Sequence, residues 1–281
     1  MSLKEQIKFF FNKYYWRQHP DAALRYLPVV SVIKALKLEE SKILEIGSGS
    51  LGIIPYLKRP IDGLDIDFSG PKTKLLNKIR GSTLDLPFKK NSYDIVLSVD
   101  VIEHLPKEKR EQSVLECLRV AKKLAIIVVP IGSQSEAQDI ILYEYWKKIF
   151  KSKDNLFLRE HTENKLPTGD EILVYIDRTL RKLNKKAKIT SRPLLNLFIR
   201  NMLMRTWITK NKLLYYIYLK GYLLILPLLK HLNFGSCYRR IFVIEFLAPQ
   251  KLPLEPSKFT LSKVEGDNSE KAKGKVLRGA P

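Results

Sequence analysis

Glu45, Gly47, Gly49 and Gly52 are the residues from which this chain's chemistry can first be read. They fall in Ile43-Leu44-Glu45-Ile46-Gly47-Ser48-Gly49-Ser50-Leu51-Gly52, a short apolar run entering a turn of the form G-x-G-x-x-G. Glycines at this spacing allow a tight turn after a strand and let backbone approach a nucleotide-like ligand. The pattern alone also suits a dinucleotide. Glu45 weighs against that, because a carboxylate here would repel a pyrophosphate and attract an ammonium or a sulfonium. S-adenosylmethionine carries both of those cations. A second acid, Asp65, follows Gly47 by 18 residues at the end of Ile61-Asp62-Gly63-Leu64-Asp65-Ile66-Asp67. From that place a carboxylate can grip a ribose diol. Asp67 is the neighbouring alternative, and Glu45 has one of its own, the capping of backbone amides in the turn.

Two later stretches make the order of motifs specific. One is Gly81-Ser82-Thr83-Leu84-Asp85-Leu86-Pro87-Phe88; the other runs from Ser92-Tyr93-Asp94-Ile95-Val96-Leu97-Ser98 to Asp100-Val101-Ile102-Glu103-His104-Leu105. The sequence E-x-G-x-G, G-x-D, D-L-P-F and Y-D-I-V-L-S-x-D-V-I-E-H-L resembles class I S-adenosylmethionine-dependent methyltransferases over residues 40 to 130. It is similar to the branch containing quinone and small-molecule O-methyltransferases. The resemblance implies S-adenosyl-L-methionine as methyl donor, held by Glu45, Gly47, Ser48, Gly49, Gly52, Asp65 and Ile66. It implies that Ser82, Thr83, Asp85 and Asp100 line the adenine and methionine sides. Ser82 stands where members of the family often carry an acid, which weakens the adenine contact, and Asp85 also reads as the start of a turn.

Glu103 and His104 are the catalytic candidates. They follow a strand end, and either can orient an acceptor hydroxyl or take its proton, since imidazole titrates near working pH. His104 can equally serve as a packing residue. Aligning the acceptor with the methyl group supplies most of the gain in such a transfer, so a named base is not obligatory. His161, in Arg159-Glu160-His161-Thr162, is a weaker candidate. The four histidines show no metal-ligand spacing, and the two cysteines, Cys117 and Cys237, form no C-x-x-C pair. No metal site and no disulfide framework are expected.

Strands alternating with helices must position these residues. The spacing predicts helices over 3–18 and from Ala22 to Leu36, then a strand over 42–46 and a helix from Gly49 that Pro60 closes. Strands follow near 61–66, 79–83, 93–99 and 124–129, with a helix from Pro106 to Val120. A short helix is expected around 137–150, a helix over 171–183 and strands over 187–191 and 238–247. This alternation is a doubly wound α/β fold. The family resemblance adds a Rossmann-like sheet of seven strands whose last strand is antiparallel. The expected organisation is an N-terminal helical cap over 1–40 and a sheet domain over 41–192 plus 238–249. A basic, apolar insertion covers 193–237, and a disordered tail 250–281.

Charge divides unevenly along the chain. The total is +21, yet residues 147–239 alone carry 20 Lys and Arg against 6 Asp and Glu. From Arg178 through Ile244 there is no acid at all, and the same window holds the most apolar run, 213–229. Lys220, Gly221 and Pro227 interrupt that run, which argues against a membrane span. A basic and apolar surface suits an anionic membrane face or a lipid-linked acceptor. Leu166-Pro167-Thr168-Gly169-Asp170-Glu171-Ile172 is similar to a segment of methyltransferases of surface-glycan pathways. The sequence-level reading is a cytoplasmic methyltransferase, O-directed, acting on a small, lipid-linked or glycan acceptor. Nucleic acid is the disfavoured partner, because the basic window is too apolar for a phosphate-tracking groove. A non-catalytic scaffold at the membrane is the remaining alternative, and no feature fixes an oligomeric state.

Overall fold

A computed structural model describes residues 2–151 and 154–247. The expected tail, 250–281, lies outside the described residues, as do residues 248 and 249 of the expected sheet domain. Seven strands form one sheet in the order β3-β2-β1-β4-β5-β7-β6. They are β1 (Ile43–Ile46), β2 (Ile61–Asp65), β3 (Leu76–Arg80), β4 (Tyr93–Val99), β5 (Ala121–Pro130), β6 (Ala187–Asn196) and β7 (Cys237–Phe246). The first five pair in parallel, and β7 is inserted antiparallel between β5 and β6. This is the Rossmann-like seven-stranded architecture with an antiparallel last strand.

Both faces of the sheet are covered, so its central strands are apolar on both sides. In β4, Val96 packs with Val114, Leu118 and Ile176, while Ile95, Leu97 and Val99 pack with Val29, Val30 and Ile33. The first face carries α4 (Lys107–Val120) and α7 (Gly169–Leu183), and the second carries α2 (Pro20–Ala35) and α3 (Ile54–Leu57). Helix α7 begins where the sequence signals it, at a capping box in which Thr168 and Glu171 bond each other's backbone amides.

Several boundaries differ from the sequence reading. The helix expected from Gly49 is only the four residues of α3, because residues 47–53 form a turn closed around Glu45. Strand β3 starts three residues early, and β6 continues to Asn196, so residues 193–196 belong to the sheet. The short helix near 137–150 is a 19-residue helix, α5 (Gly132–Phe150), and α6 (Leu156–Asn164) has no counterpart in the sequence reading.

Residues 197–236 then form α8 (Leu197–Trp207), α9 (Lys212–Tyr216), a π turn (Ile217–Gly221) and α10 (Tyr222–Leu229). Tyr218, Tyr222, Leu223, Leu226 and Leu229 pack with Phe11 of α1 (Leu3–Tyr14) and with Ala23 and Leu24 of α2. The N-terminal helices and the insertion therefore share one core.

Candidate active site

The glycine turn sits at the carboxyl edge of the sheet, where open α/β folds bind their ligands. Gly47 has φ +69° and Gly52 φ +50°, left-handed backbone that favours glycine. Space forbids a side chain at either position. A Cβ on Gly47 would lie 2.3 Å from Val101 Cγ2, and one on Gly52 only 2.0 Å from Glu45 Oε2. The first contact places the segment after β4 directly beside the turn.

Glu45 is fully buried, and its Oε2 accepts from the Ile53 amide at 2.8 Å. Burial pushes its carboxyl up to about 7, with the Ile53 bond pulling the other way. The carboxylate thus holds the turn closed, as its capping alternative required. Asp65 occupies the mouth of the turn. Its Oδ2 accepts from Gly49 N at 2.7 Å and its Oδ1 from Asp67 N at 3.0 Å. Asp67 itself turns away to Ser69. Ile66, directly after Asp65, is 70 % exposed and offers an apolar shelf beside that carboxylate. Ser48 is buried in the turn, with its hydroxyl on the Gly49 carbonyl.

The turn amides and Asp65 thus stand at the mouth of the cradle, while Glu45 Oε1 is buried without a hydrogen-bond partner among the described residues. Along the same edge, Thr83 bonds Ser113 of α4 at 2.6 Å, while Ser82 and the exposed Asp85 close a small turn by bridging to each other.

Asp100 reaches the edge as expected, but both its oxygens are engaged. Arg25 Nη1 donates to it at 2.6 Å, and Arg239 Nε donates to each oxygen at 2.9 Å. Burial works to raise its pKa, yet Arg239 and Arg25 outweigh burial and hold it below the usual carboxylate range. Asp21 completes this group by accepting from Arg239 at 3.3 Å. None of Asp21, Arg25 and Arg239 stands out in the sequence, because it takes two distant elements, α2 and β7, to bring them to Asp100.

Glu103 and His104 lie in a short 3-10 turn, Ile102–His104, after β4. Glu103 is fully buried, and neither carboxyl oxygen has a hydrogen-bond partner among the described residues. Burial, followed by the charge of Asp100, raises its pKa well above the ordinary carboxylate range. His104 gives Nδ1 to Glu160 at 2.8 Å and places Nε2 3.9 Å from Glu103. His161 gives Nδ1 to Asp139 at 2.9 Å, and its Nε2 is buried without a partner among the described residues. Carboxylates on both Nδ1 atoms leave the two Nε2 atoms with free lone pairs. The two rings stand 4.8 Å apart. For His104, burial and then His161 lower the pKa, against an upward pull from Glu160.

A third layer holds this group in place. Arg200 of α8 and the Tyr238 hydroxyl, at 2.8 Å, both bond Asp139. Burial alone would raise the pKa of Asp139, but Arg200 and His161 overcome it and leave it lowered. The buried Arg110 ties Leu105 O at 3.0 Å to Asn164 O at 2.9 Å, locking the segment after β4 to the end of α6.

Ligand atoms of Glu103, His104 and His161 all lie within 4.8 Å of one another. Two imidazole nitrogens and a partnerless carboxylate, backed by Asp139 and Glu160, fit a divalent cation. Linear spacing hid this cluster, since His104 and His161 are 57 residues apart in sequence.

Residues 44–129, covering β1 through β5, match the family model described as a methyltransferase domain. No curated protein matches the chain. Among solved structures, an S-adenosylmethionine-dependent methyltransferase from Thermotoga maritima is 18 % identical, with 85 % of this chain and 98 % of that one covered and a TM-score of 0.44. The methyltransferase domain of a bacterial Hen1 protein is 16 % identical over 81 % of this chain and all of that one, with a TM-score of 0.47. Likeness at that level adds nothing to the topology already described.

Proposed function

Taking the chain as an S-adenosylmethionine-dependent methyltransferase, we propose that it is O-directed, acting on a hydroxyl of a small, lipid-linked or glycan acceptor at an anionic membrane surface. The observation that carries this reading is the group Glu103, His104 and His161, with free proton-accepting atoms beside the glycine turn. A hydroxyl is a poor nucleophile until its proton is held or removed, so a site for it needs such acceptors. An amine acceptor attacks through its own lone pair and needs them less. The donor, when bound, supplies an activated methyl group. The protein's part is to hold that donor through Asp65 and the turn amides, and to hold the acceptor oxygen by the Nε2 atoms. Glu103 is then the buried group able to accept or share the proton. A divalent cation held by these three residues would act as a Lewis acid and lower the pKa of an acceptor hydroxyl.

Labelled-methyl transfer from S-adenosylmethionine, run across lipid-linked glycans, quinone precursors and matched amines, tests this reading. Turnover is expected on hydroxyl acceptors, with Glu103→Gln lowering kcat at least about 100-fold while leaving the donor Kd unchanged. Because the folded pKa of His104 is depressed, its ring stays neutral as pH falls below the ordinary histidine value. The acid limb of the rate profile should therefore lie below about pH 6.5, the unperturbed value. Turnover confined to amines, or unaffected by Glu103→Gln, would overturn the assignment.

A further inference from the structure

We infer that helix α1 and the segment 212–229 together form one membrane-docking face that seats the enzyme flat on an anionic bilayer. This rests on the lipid-linked class of acceptor proposed above and names the surface by which the protein would reach it.

The run Lys212–Leu229 is long and apolar enough to cross a membrane. It is not free to do so. Tyr218, Tyr222, Leu223, Leu226 and Leu229 are buried against Phe11, Ala23 and Leu24, so one face of the segment is committed to the protein. Lys220 is fixed over the Phe11 ring at 4.5 Å. The opposite face is equally apolar but open, with Leu213 at 67 %, Leu224 at 51 % and Leu228 at 71 % exposed. A helix that is apolar all round has a second apolar environment to meet.

Helix α1 extends that open face. Leu3, Ile7 and Phe10 line a groove of about 630 Å³ together with Tyr216, Ile217 and Leu224. Leu3 is 73 % exposed, and Phe9 on the same helix 59 %. Patches of this kind on a monomer mark interaction sites.

Charge selects the occupant. Lys4, Lys8 and Lys13 of α1 are exposed, as are Lys212 and Lys230 at the two ends of the segment. No acid occurs between Arg178 and Ile244, and α1 carries a single acid, Glu5, against its three lysines. Exposed Tyr215 and Tyr216 combine an apolar ring with a polar tip, which suits the headgroup level. A lysine rim around an apolar centre complements an anionic lipid surface, and between two copies of the same face those lysines would repel each other.

The test is co-sedimentation of the full chain with zwitterionic vesicles and with vesicles containing about 30 mol % anionic phospholipid. The expected result is capture by the anionic vesicles, reduced but not abolished by salt, because an apolar contact remains after screening. The double variant Phe10→Ser with Leu224→Ser alters two exposed side chains and should weaken capture at least about tenfold. Lys4→Gln with Lys8→Gln should also weaken it about tenfold and reduce, without removing, the salt sensitivity. Calorimetric titration of S-adenosylmethionine into the same variants should show unchanged affinity. Loss of donor binding in wild type would break the methyltransferase reading, whereas vesicle binding is measured separately. No capture of folded protein by anionic vesicles would overturn the inference. So would concentration-dependent dimerisation that Leu224→Ser abolishes while vesicle capture persists.

Discussion

The two halves of the sheet's carboxyl edge are made by different means. Around β1 and β2 the site is backbone: a turn with left-handed glycines, held by one buried glutamate and presenting a single acid, Asp65. Around β4, α5 and α6 it is side chains: two histidines oriented by two carboxylates, one of them fixed by an arginine from α8. A ligand common to many reactions is met by geometry that local sequence alone can build. The site proposed for the acceptor draws on residues spread from Glu103 to Tyr238.

Substitutions should separate these two construction modes. The largest effect is expected from Arg200→Met, which leaves the buried Asp139 carboxylate without its cation. Breaking one side of a buried pair costs about 3–5 kcal/mol, to be read as a fall in the urea midpoint. Gly52→Ala comes next. The new Cβ would meet the Glu45 carboxylate at 2.0 Å in a left-handed backbone. A loss of about 2–4 kcal/mol is expected from strain and overpacking together.

Asp65→Ala should leave the melting temperature nearly unchanged. It should weaken S-adenosylmethionine and S-adenosylhomocysteine binding about 10- to 100-fold by calorimetry, as loss of a charge-assisted bond predicts. The smallest change is expected from Glu160→Gln. It removes the charge on His104 Nδ1 that raises the ring's pKa. The acid limb of activity should then move further down in pH, with kcat on the alkaline side changed only a few-fold. If Asp65→Ala destabilised the fold as much as Arg200→Met, the contrast between the two halves would fail.

The same contrast explains what could be read from the chain beforehand. The glycine turn, Asp65 and strand β4 were legible because each is a local pattern of a few residues. Helix α7 was legible from its capping box, and β7 from an apolar run next to paired arginines. Glu45 was placed in the right turn, but its burial and its bond to the Ile53 amide were not visible in the local sequence. The arginines on Asp100 and the Asp139–His161 pair left no trace in spacing. Asp100 lies 75 and 139 residues from its two arginines, and Asp139 lies 22 from His161, joined only by strand crossovers and helix packing. Helix α6 was missed because its nine residues carry little periodic apolar signal, and its position comes from Arg110 and the packing of Leu158.

Strand β7 has a consequence for the order in which this protein comes into being. It lies between β5 and β6, and its Arg239 neutralises Asp100 from 139 residues further along the chain. On the ribosome, the segment from β1 through β5 emerges before that strand, with an open apolar edge on β5 and with Arg25 of α2 as the one arginine on Asp100. The sheet can be completed only once β7, Cys237–Phe246, has been made. Proteins completed by distant pairings fold slowly and expose sticky edges meanwhile. For this chain, the arrival of Arg239 would complete the two-arginine clasp on Asp100.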